Sequence, residues 1–219
     1  MGRELFLDFF AEHEVPVIRK RRHTFLKMDD ENVYILSEGV VKVSVLMRDG
    51  REFNIAYLKG FDILSMFKDA VIDCKFSSLM IRVESDEASF YCVSKEVFNQ
   101  LLNEHPELVE YVNTYYRKKL SETISRQELM TMNGKNGAVC AFIYYLVTMF
   151  GKEARDGILI DLKITNDDIA GFCGISTRHS VKRILRGLRE EHVIRTLYNK
   201  IMVLDVEHLK QFVDVKVDA

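Results

Sequence analysis

The residues best suited to chemistry in this sequence are cations spaced along one side of a predicted helix. The helix covers residues 177–190, and its polar side carries Arg178, His179, Lys182, Arg183 and Arg186. From Arg178 to Lys200 the chain has seven Lys or Arg residues against two acids, although its formal net charge is only −2. Such a local concentration of positive charge and hydrogen-bond donors suits the phosphates and base edges of nucleic acid.

Local sequence signals predict how this helix is held. Thr165 followed by Asp167 and Asp168 is typical of a helix start, because a hydroxyl caps free N–H groups and carboxylates favour the positive end of the helix dipole. Gly174 ends this first, short helix. In the second helix the apolar positions recur at i, i+3, i+4 and i+7 as Val181, Ile184, Leu185 and Leu188. The apolar stripe is therefore expected to face a core and the cations to face outward.

A β-hairpin is predicted directly after the second helix. Two short apolar stretches, residues 193–197 and 201–204, flank a polar turn over residues 198–200. Helix, turn, helix and hairpin in this order predict a winged helix-turn-helix. In that arrangement the second helix enters the major groove, and its N-terminal residues meet base edges.

The expected DNA contacts follow from this geometry. The candidates for base contacts are Arg178, His179, Lys182 and Arg183. Ser176 and Thr177, which can also cap the second helix, are placed near phosphate, whereas Arg186 and Lys200 are expected to meet the DNA backbone. The alternative is a basic face that is merely solvated, as most charged faces are. The agreement of helix start, spacing, segregated faces and hairpin favours DNA binding.

This stretch resembles the DNA-binding end of the Crp/Fnr family. The residues that match the family's pattern are Ile164, Thr165, Asp168, Ile169, Ala170, Gly174, Arg178, Val181, Arg183, Ile184 and Leu185. His179 replaces a Glu that in the family can accept a hydrogen bond from cytosine, so we expect a different preferred operator. One extra residue between Gly174 and Val181 is similar to the spacing of the PrfA-type branch from Gram-positive bacteria. Residues 133–137 and 151–158 also resemble that branch.

The composition predicts a soluble globular protein of one large or two ordinary domains. Of 219 residues, 47% are hydrophobic and 29% are charged. The longest apolar run, residues 138–150, is shorter than the roughly 20 residues that a membrane-spanning helix needs. The N-terminus has acids within its apolar part and no signal-peptide layout. We therefore expect a cytoplasmic protein that does not bind a membrane.

The four cysteines, Cys74, Cys92, Cys140 and Cys173, are spread out, with no Cys-x-x-Cys pair. In a reducing cytoplasm we expect buried thiols that serve packing, while a redox role for Cys74 and Cys92 stays open because it depends on exposure and pKa. Some Crp/Fnr proteins hold an iron–sulfur cluster with N-terminal cysteines. Because no cysteine precedes Cys74, such a cluster is not expected.

From residue 24 to residue 93 the pattern changes to short alternating strands. The predicted strands cover residues 33–36, 41–45, 53–58, 80–84 and 88–93. Turns are predicted at Gly39, at Asp49-Gly50 and at Gly60. Many short strands with regular turns are typical of a double-sheet jelly roll. The segment resembles the sensory, cyclic-nucleotide-binding-like β-roll of the Crp/Fnr family. N-terminal to it, the basic run of residues 19–23 is best explained as a charged strand edge that resists edge-to-edge pairing.

The resemblance also bears on the effector. Some relatives bind cyclic nucleotides through a Gly-Glu-Leu segment and an Arg-Ser pair. Here Ile63 stands at the Glu position, and residues 75–78 lack the Arg-Ser pair, so a cyclic phosphate would lose its bidentate partner. Cyclic AMP is therefore not expected. PrfA-type proteins can respond to glutathione, and the similar turn implies that Lys59 meets a peptide carboxylate; the alternative is that Lys59 is a solvated turn residue.

A long helix is predicted over residues 106–133, beginning at Pro106 and ending at Gly134. One stripe along this helix comprises Val109, Val112, Tyr116, Leu120 and Ile124. Such a stripe is typical of a coiled-coil-like dimer seam, although packing on its own β-roll would also use it. A two-fold dimer would present two recognition helices to an inverted repeat with half-sites about one helical turn apart.

Together these features predict a dimeric, sequence-specific transcription regulator of fold class α+β, and not an enzyme. The expected domains are a β-roll sensor (residues 1–105), a dimerisation helix (106–133) and a winged helix-turn-helix (134–219). RNA polymerase would be a further partner if the regulator is an activator. One alternative is a β-roll module that acts through protein partners. Another is a metal-dependent cupin-type enzyme. Such an enzyme needs several His or carboxylate ligands close together, whereas His23 is the one histidine in the predicted roll.

Overall fold

A computed structural model describes residues 2–48, 50–65, 78–132 and 134–213. The chain divides into two compact units, Met1–Ser121 and Glu122–Ala219. The division falls within the long helix Pro106–Met132, so that this helix contributes to both units. The predicted Asp49 turn position, Cys74 and the segment at residues 75–77 lie outside the described residues.

Two antiparallel sheets form the centre of the N-terminal unit. Their strands are β1 (Val17–Arg21), β2 (Phe25–Leu26), β3 (Asn32–Glu38), β4 (Val40–Leu46), β5 (Glu52–Lys59), β6 (Asp62–Ile63), β7 (Ser78–Val83) and β8 (Glu87–Ser94). One sheet has the strand order β1-β8-β3-β6 and the other the order β2-β7-β4-β5. The basic strand β1 lies at a sheet edge, as its charge predicts.

Alternation along the strands builds the interior between the two sheets. Val41 and Val43 of β4 and Leu36 of β3 are fully buried there together with Phe90 of β8. The turn from β3 to β4 requires Gly39, which has φ +96° and whose Cβ would lie 2.7 Å from a backbone oxygen. The strand pattern of the sequence thus leads to a double-sheet β-roll.

A helical layer covers the outer face of the sheet β1-β8-β3-β6. It consists of α1 (Gly2–Glu12), α2 (Lys95–Glu104) and the N-terminal part of α3 (Pro106–Met132). At its centre the Phe6 ring stacks on that of Phe98, with centroids 5.6 Å apart. Leu108 and Val112 of α3 are buried in the same cluster. Val112, predicted as part of a dimer seam, therefore packs on its own β-roll.

A buried carboxylate joins α3 to the β-roll. Asp62 accepts hydrogen bonds from the Tyr115 hydroxyl and from Lys119 Nζ, the latter at 2.8 Å. The amide N–H of Ile63 donates to the same hydroxyl at 3.1 Å. Burial, reinforced by the charge of Asp62, raises the pKa of Tyr115, so this hydroxyl stays protonated and can donate. The N-terminal part of α3 is thereby fixed on its own unit.

The C-terminal unit packs helices on a small sheet. Its elements are α4 (Gly134–Phe150), β9 (Gly151–Ala154), β10 (Gly157–Ile160), α5 (Asn166–Phe172), α6 (Arg178–Glu190), β11 (Ile194–Leu197), β12 (Lys200–Val203) and α7 (Val206–Lys210). The sheet has the order β11-β12-β10-β9. In the core, Phe142 of α4 stacks on Phe172 of α5 with ring centroids 4.6 Å apart.

The start of α5 is a complete capping box. Thr165 Oγ1 accepts a hydrogen bond from the amide N–H of Asp168 at 3.0 Å, and Asp168 Oδ2 accepts from the amide N–H of Thr165 at 3.0 Å. Asp168 is 4% exposed, and the bond from the Thr165 amide N–H helps to satisfy its buried carboxylate. The predicted helix start at Thr165 is therefore confirmed, with a reciprocal bond that satisfies two otherwise free N–H groups.

The α+β fold predicted from the sequence, a β-roll, a long helix and a winged helix-turn-helix, is confirmed. The short strands β2 and β6 and the whole of β9 were not predicted. Lys200 was assigned to a turn, whereas it opens β12 and pairs with Leu197 across a two-residue turn. Tyr198 and Asn199 in that turn have positive φ, 51° and 59°. The usual sequence signal for such a turn is Asn-Gly, so Tyr-Asn gave only a weak prediction of it.

Replacement of Thr165 by alanine is expected to lower the free energy of unfolding of the C-terminal unit by about 1 kcal/mol, the usual cost of losing an N-cap hydroxyl. The measurement is urea denaturation followed by far-UV circular dichroism. Ser176→Ala is the matched control, because Ser176 is exposed and lies outside the helices. Equal effects of the two substitutions would contradict a special role of the capping box.

Candidate nucleic-acid interface

The helix pair α5 and α6 presents one basic surface. Gly174 in the turn has φ +61°, and a Cβ there would meet nothing within 4 Å, so glycine serves the backbone conformation rather than close packing. Thr177 caps α6 by accepting a hydrogen bond from the amide N–H of Ser180 at 3.3 Å. Ser176, the other predicted cap, is exposed next to it. Gly174 and Thr177 therefore fix the two ends of the turn between α5 and α6, and this turn sets the direction of α6.

Burial of one stripe orients α6. Val181, Leu185 and Leu188 are buried, with 0%, 6% and 6% exposure. Ile184, predicted to share this stripe, is half-buried at its border. All five predicted cations of the helix, Arg178, His179, Lys182, Arg183 and Arg186, are exposed. The amphipathic pattern thus places the cations on the solvent side of the unit.

The cations differ in how directly they face outward. With about 100° of rotation per residue, Arg183 lies roughly opposite the centre of the buried stripe. His179 and Arg186 lie within about 60° of Arg183, whereas Arg178 and Lys182 lie further round the helix. Of these five cations, Arg183 is therefore the one that points most directly away from the core.

Within the described part of the chain, the four candidate base contacts have no ion pair or side-chain hydrogen bond. Arg186 lies 3.5 Å from Glu190 in an exposed i, i+4 pair, a kind of pair worth only about 0.3–0.5 kcal/mol. The N-terminal half of α6 is thus a set of cations without neutralising partners, and such a set attracts phosphate.

The wing hairpin is different, because its cations are paired. Lys200 Nζ donates a hydrogen bond to Asp161, which also lies 2.5 Å from Lys152 Nζ. These two hydrogen bonds lower the pKa of Asp161 from 3.8 to about 2. Arg195 Nη2 lies 2.9 Å from Asp156. The sequence predicted a contact of Lys200 with the DNA backbone. In the structure Lys200 binds Asp161, which directly follows β10, the strand that pairs with β12.

The hairpin tip offers a residue that the sequence argument did not single out. Tyr198 is 81% exposed at the turn between β11 and β12. Single exposed apolar side chains are common on protein surfaces, so the position of Tyr198 at the tip of the wing, and not its exposure, makes it of interest. The available signal was its position in the turn of a wing, next to the basic helix in sequence.

On α3, the predicted seam residues other than Val112 are exposed. Their fractional exposures are 39% for Val109, 38% for Tyr116, 62% for Leu120 and 57% for Ile124. They recur at helical spacing on one continuous helix. We call these four residues the α3 stripe.

The remaining candidate sites are less defined. Lys59 is exposed at the end of β5. Cys92 is half-buried, whereas Cys140 and Cys173 are buried, which raises their pKa values to about 11 and about 12. Over the described ranges, no group of three His, Cys, Asp or Glu side chains is placed to hold a metal ion. None of the described helices is long and apolar enough to cross a membrane.

Comparison with known proteins identifies the C-terminal unit. Residues 137–212 match the Crp-like helix-turn-helix domain. The chain is 46% identical to the lactate racemization regulatory protein of Lactiplantibacillus plantarum, over 94% of this chain and 95% of that protein. It is 28% identical to the listeriolysin regulatory protein (PrfA) of Listeria monocytogenes, over 88% of this chain and 82% of that protein.

Solved structures agree with this assignment at the level of the fold. A CooA mutant from Carboxydothermus hydrogenoformans has a TM-score of 0.72 at 18% identity, covering 93% of this chain and 89% of that one. A CRP-family transcriptional regulator from Thermus thermophilus also has a TM-score of 0.72, at 20% identity, covering 90% and 96%. With a β-roll, a long helix and a matched helix-turn-helix domain, and with regulators rather than enzymes as its relatives, the chain belongs to the Crp/Fnr family of DNA-binding transcription regulators.

Proposed function

We propose that the protein acts as a homodimer that binds an inverted-repeat operator through α6. The observation that carries this proposal is the exposed, unneutralised basic half of α6, which lies opposite a buried apolar stripe. Recognition of specific bases needs donors that reach a groove, and arginine presents a planar fork suited to the O6 and N7 atoms of guanine.

The contacts fall into two classes. Arg183 and His179 are the primary base contacts, since they project furthest from the core, and Arg178 and Lys182 contribute from the flank nearest the start of α6. Ser176 and Thr177 meet phosphate at the helix N-terminus, where free N–H groups favour an anion. Arg186 meets the DNA backbone. Lys200 joins it only if DNA competes with Asp161 for its ammonium group.

The α3 stripe supports the homodimer. Leu120 and Ile124 are more than half exposed, and large apolar side chains repeated along one helix face lose contact with water when two such helices pair. A two-fold axis along α3 would give each half-site its own copy of α6, which is what an inverted repeat requires.

We propose a small anionic effector, with glutathione as the first compound to test. Lys59, exposed on the β-roll, supplies a cation for a peptide carboxylate. Isothermal titration of glutathione into wild-type protein and Lys59→Ala tests this, and identical binding curves would exclude Lys59. Cyclic AMP is not proposed, because Ile63 stands where a ribose-binding carboxylate would be needed.

The regulated process we propose is lactate racemization. This rests on the relative that bears that name, which is 46% identical along nearly the full length of both chains. Binding of the purified protein to the promoter regions of lactate racemase genes from its own organism tests the proposal. If the protein activates those genes, RNA polymerase is a partner; an in vitro transcription assay distinguishes activation from repression.

Replacement of Arg183 by alanine is expected to weaken binding to the specific operator by about 1–3 kcal/mol while changing affinity for random DNA little, as base contacts do. Fluorescence anisotropy with labelled operator and labelled random duplex measures both. Arg189→Ala, an exposed arginine in the last turn of the same helix, is the control that removes equal charge. Equal loss on both kinds of DNA would refute base contact by Arg183.

Replacement of Leu120 by aspartate is expected to convert the dimer to monomer, since an aspartate in each helix would be buried against its copy. Sedimentation velocity at micromolar concentration measures the change. Lys118→Asp, exposed on another side of α3, is the control for added negative charge and should leave the dimer intact. A wild-type protein that sediments as a monomer would contradict the role of the α3 stripe.

A further inference from the structure

A cavity of about 390 Å³ opens within the C-terminal unit, between α4, α6 and the segment formed by α7 and Phe212. It lies on the flank of α6, between the buried stripe and the outward cations. Its volume is within the range of sites that hold small organic molecules. Because it borders the helix that carries the DNA contacts, an occupant would touch the same element as the operator.

Gly187 forms part of the cavity wall, and its backbone conformation does not require a glycine. A glycine inside a helix costs about 1 kcal/mol relative to alanine, and the backbone φ of Gly187 is not positive. A Cβ at this position would meet nothing within 4 Å. Close packing therefore does not exclude a side chain there, and the effect of the glycine is to widen the cavity.

The lining specifies a chemical class of ligand. Ile184, Leu188 and Phe212 supply apolar surface, and Cys140 adds a neutral thiol, since burial raises its pKa to about 11. Arg183 also lines the cavity, and a guanidinium pairs best with a carboxylate.

Two further lining residues limit the charge that a ligand of this cavity can carry. Glu191 disfavours a second negative group by like-charge repulsion, and the His208 ring adds a polar edge. We propose that this cavity binds a small organic monocarboxylate with an apolar body, its carboxylate on Arg183 and its body against α6 and Phe212.

Binding of such a compound would oppose DNA binding. The guanidinium of Arg183 cannot give the same N–H donors to a ligand carboxylate and to a base edge. This consequence rests on the proposed role of Arg183 in base recognition, whereas binding of the carboxylate to the cavity does not. The two parts therefore need separate readouts.

The first readout is binding without DNA. The probes are 4-phenylbutyrate and its uncharged counterpart 4-phenylbutanamide, titrated up to about 10 mM into the full-length protein and followed by NMR of labelled methyl groups. We expect saturable binding of the acid, at least about fivefold weaker binding of the amide, and shifts confined to residues around α6. No binding of the acid, or equal binding of acid and amide, would overturn the proposal.

Variants at the cavity wall make the test specific. Gly187→Leu fills the space and should weaken acid binding by about tenfold or more, while Arg189→Leu adds the same side chain on the far side of α6 and should leave acid binding unchanged. Gly187→Ala, which favours the helix, keeps the fold if leucine does not and should weaken binding partly. Acid binding to both Gly187 variants with wild-type affinity would overturn the assignment of the site.

The second readout uses a selected operator. The acid should weaken operator binding by the wild-type protein and by Arg189→Leu, but not by Gly187→Leu. If the acid binds in the cavity and operator affinity stays the same, competition through Arg183 is refuted. If the wild-type protein binds no operator with or without glutathione and the acid, the proposed function fails while the binding result still decides the site.

Discussion

Burial of the apolar stripe on α6 is the constraint on which the rest of the C-terminal unit depends. Val181, Leu185 and Leu188 lose nearly all contact with water, and fully burying side chains of this size is worth about 1.5–3 kcal/mol each. Because the helix has one such stripe, this burial fixes its rotation and turns Arg183 and its neighbours outward. The capping box at Thr165, the left-handed Gly174 and the Thr177 cap then set where α6 begins and how it leaves α5.

The N-terminal unit also has a helix, α3, with one side buried in its own unit and another side exposed. The β-roll buries its own interior, and α3 is fixed on it by Val112 and by the bonds from Tyr115 and Lys119 to Asp62. Fixing the inner side of α3 leaves the α3 stripe exposed. A helix held on one side and apolar on another is suited to pairing with its copy, which connects the β-roll to the proposed dimer without any special linker.

Features encoded locally could be predicted from the sequence, and features made by distant residues could not. The cap at Thr165, the periodicity of α6 and the alternation in β4 each depend on neighbours a few residues apart. The bond from Lys200 to Asp161 depends on the antiparallel pairing of β12 with β10, and the two residues are 39 positions apart in the chain. Val112 fits a regular stripe in sequence, yet it is buried in the cluster that also contains Phe6, Phe98 and Leu108. The cavity beside Gly187 likewise exists only because three helical segments meet there.

Base recognition by α6 is tested most directly by selecting double-stranded DNA from a randomised pool on the purified protein and measuring the affinity of the selected DNA at two salt concentrations. If two copies of α6 read bases in a dimer, the selected DNA is an inverted repeat whose half-site centres lie about one helical turn, roughly 34 Å, apart. The operator then keeps its advantage over random DNA as salt weakens binding to both. Enrichment of no common sequence, with salt-sensitive binding alike on every duplex, would contradict the claim that α6 recognises bases.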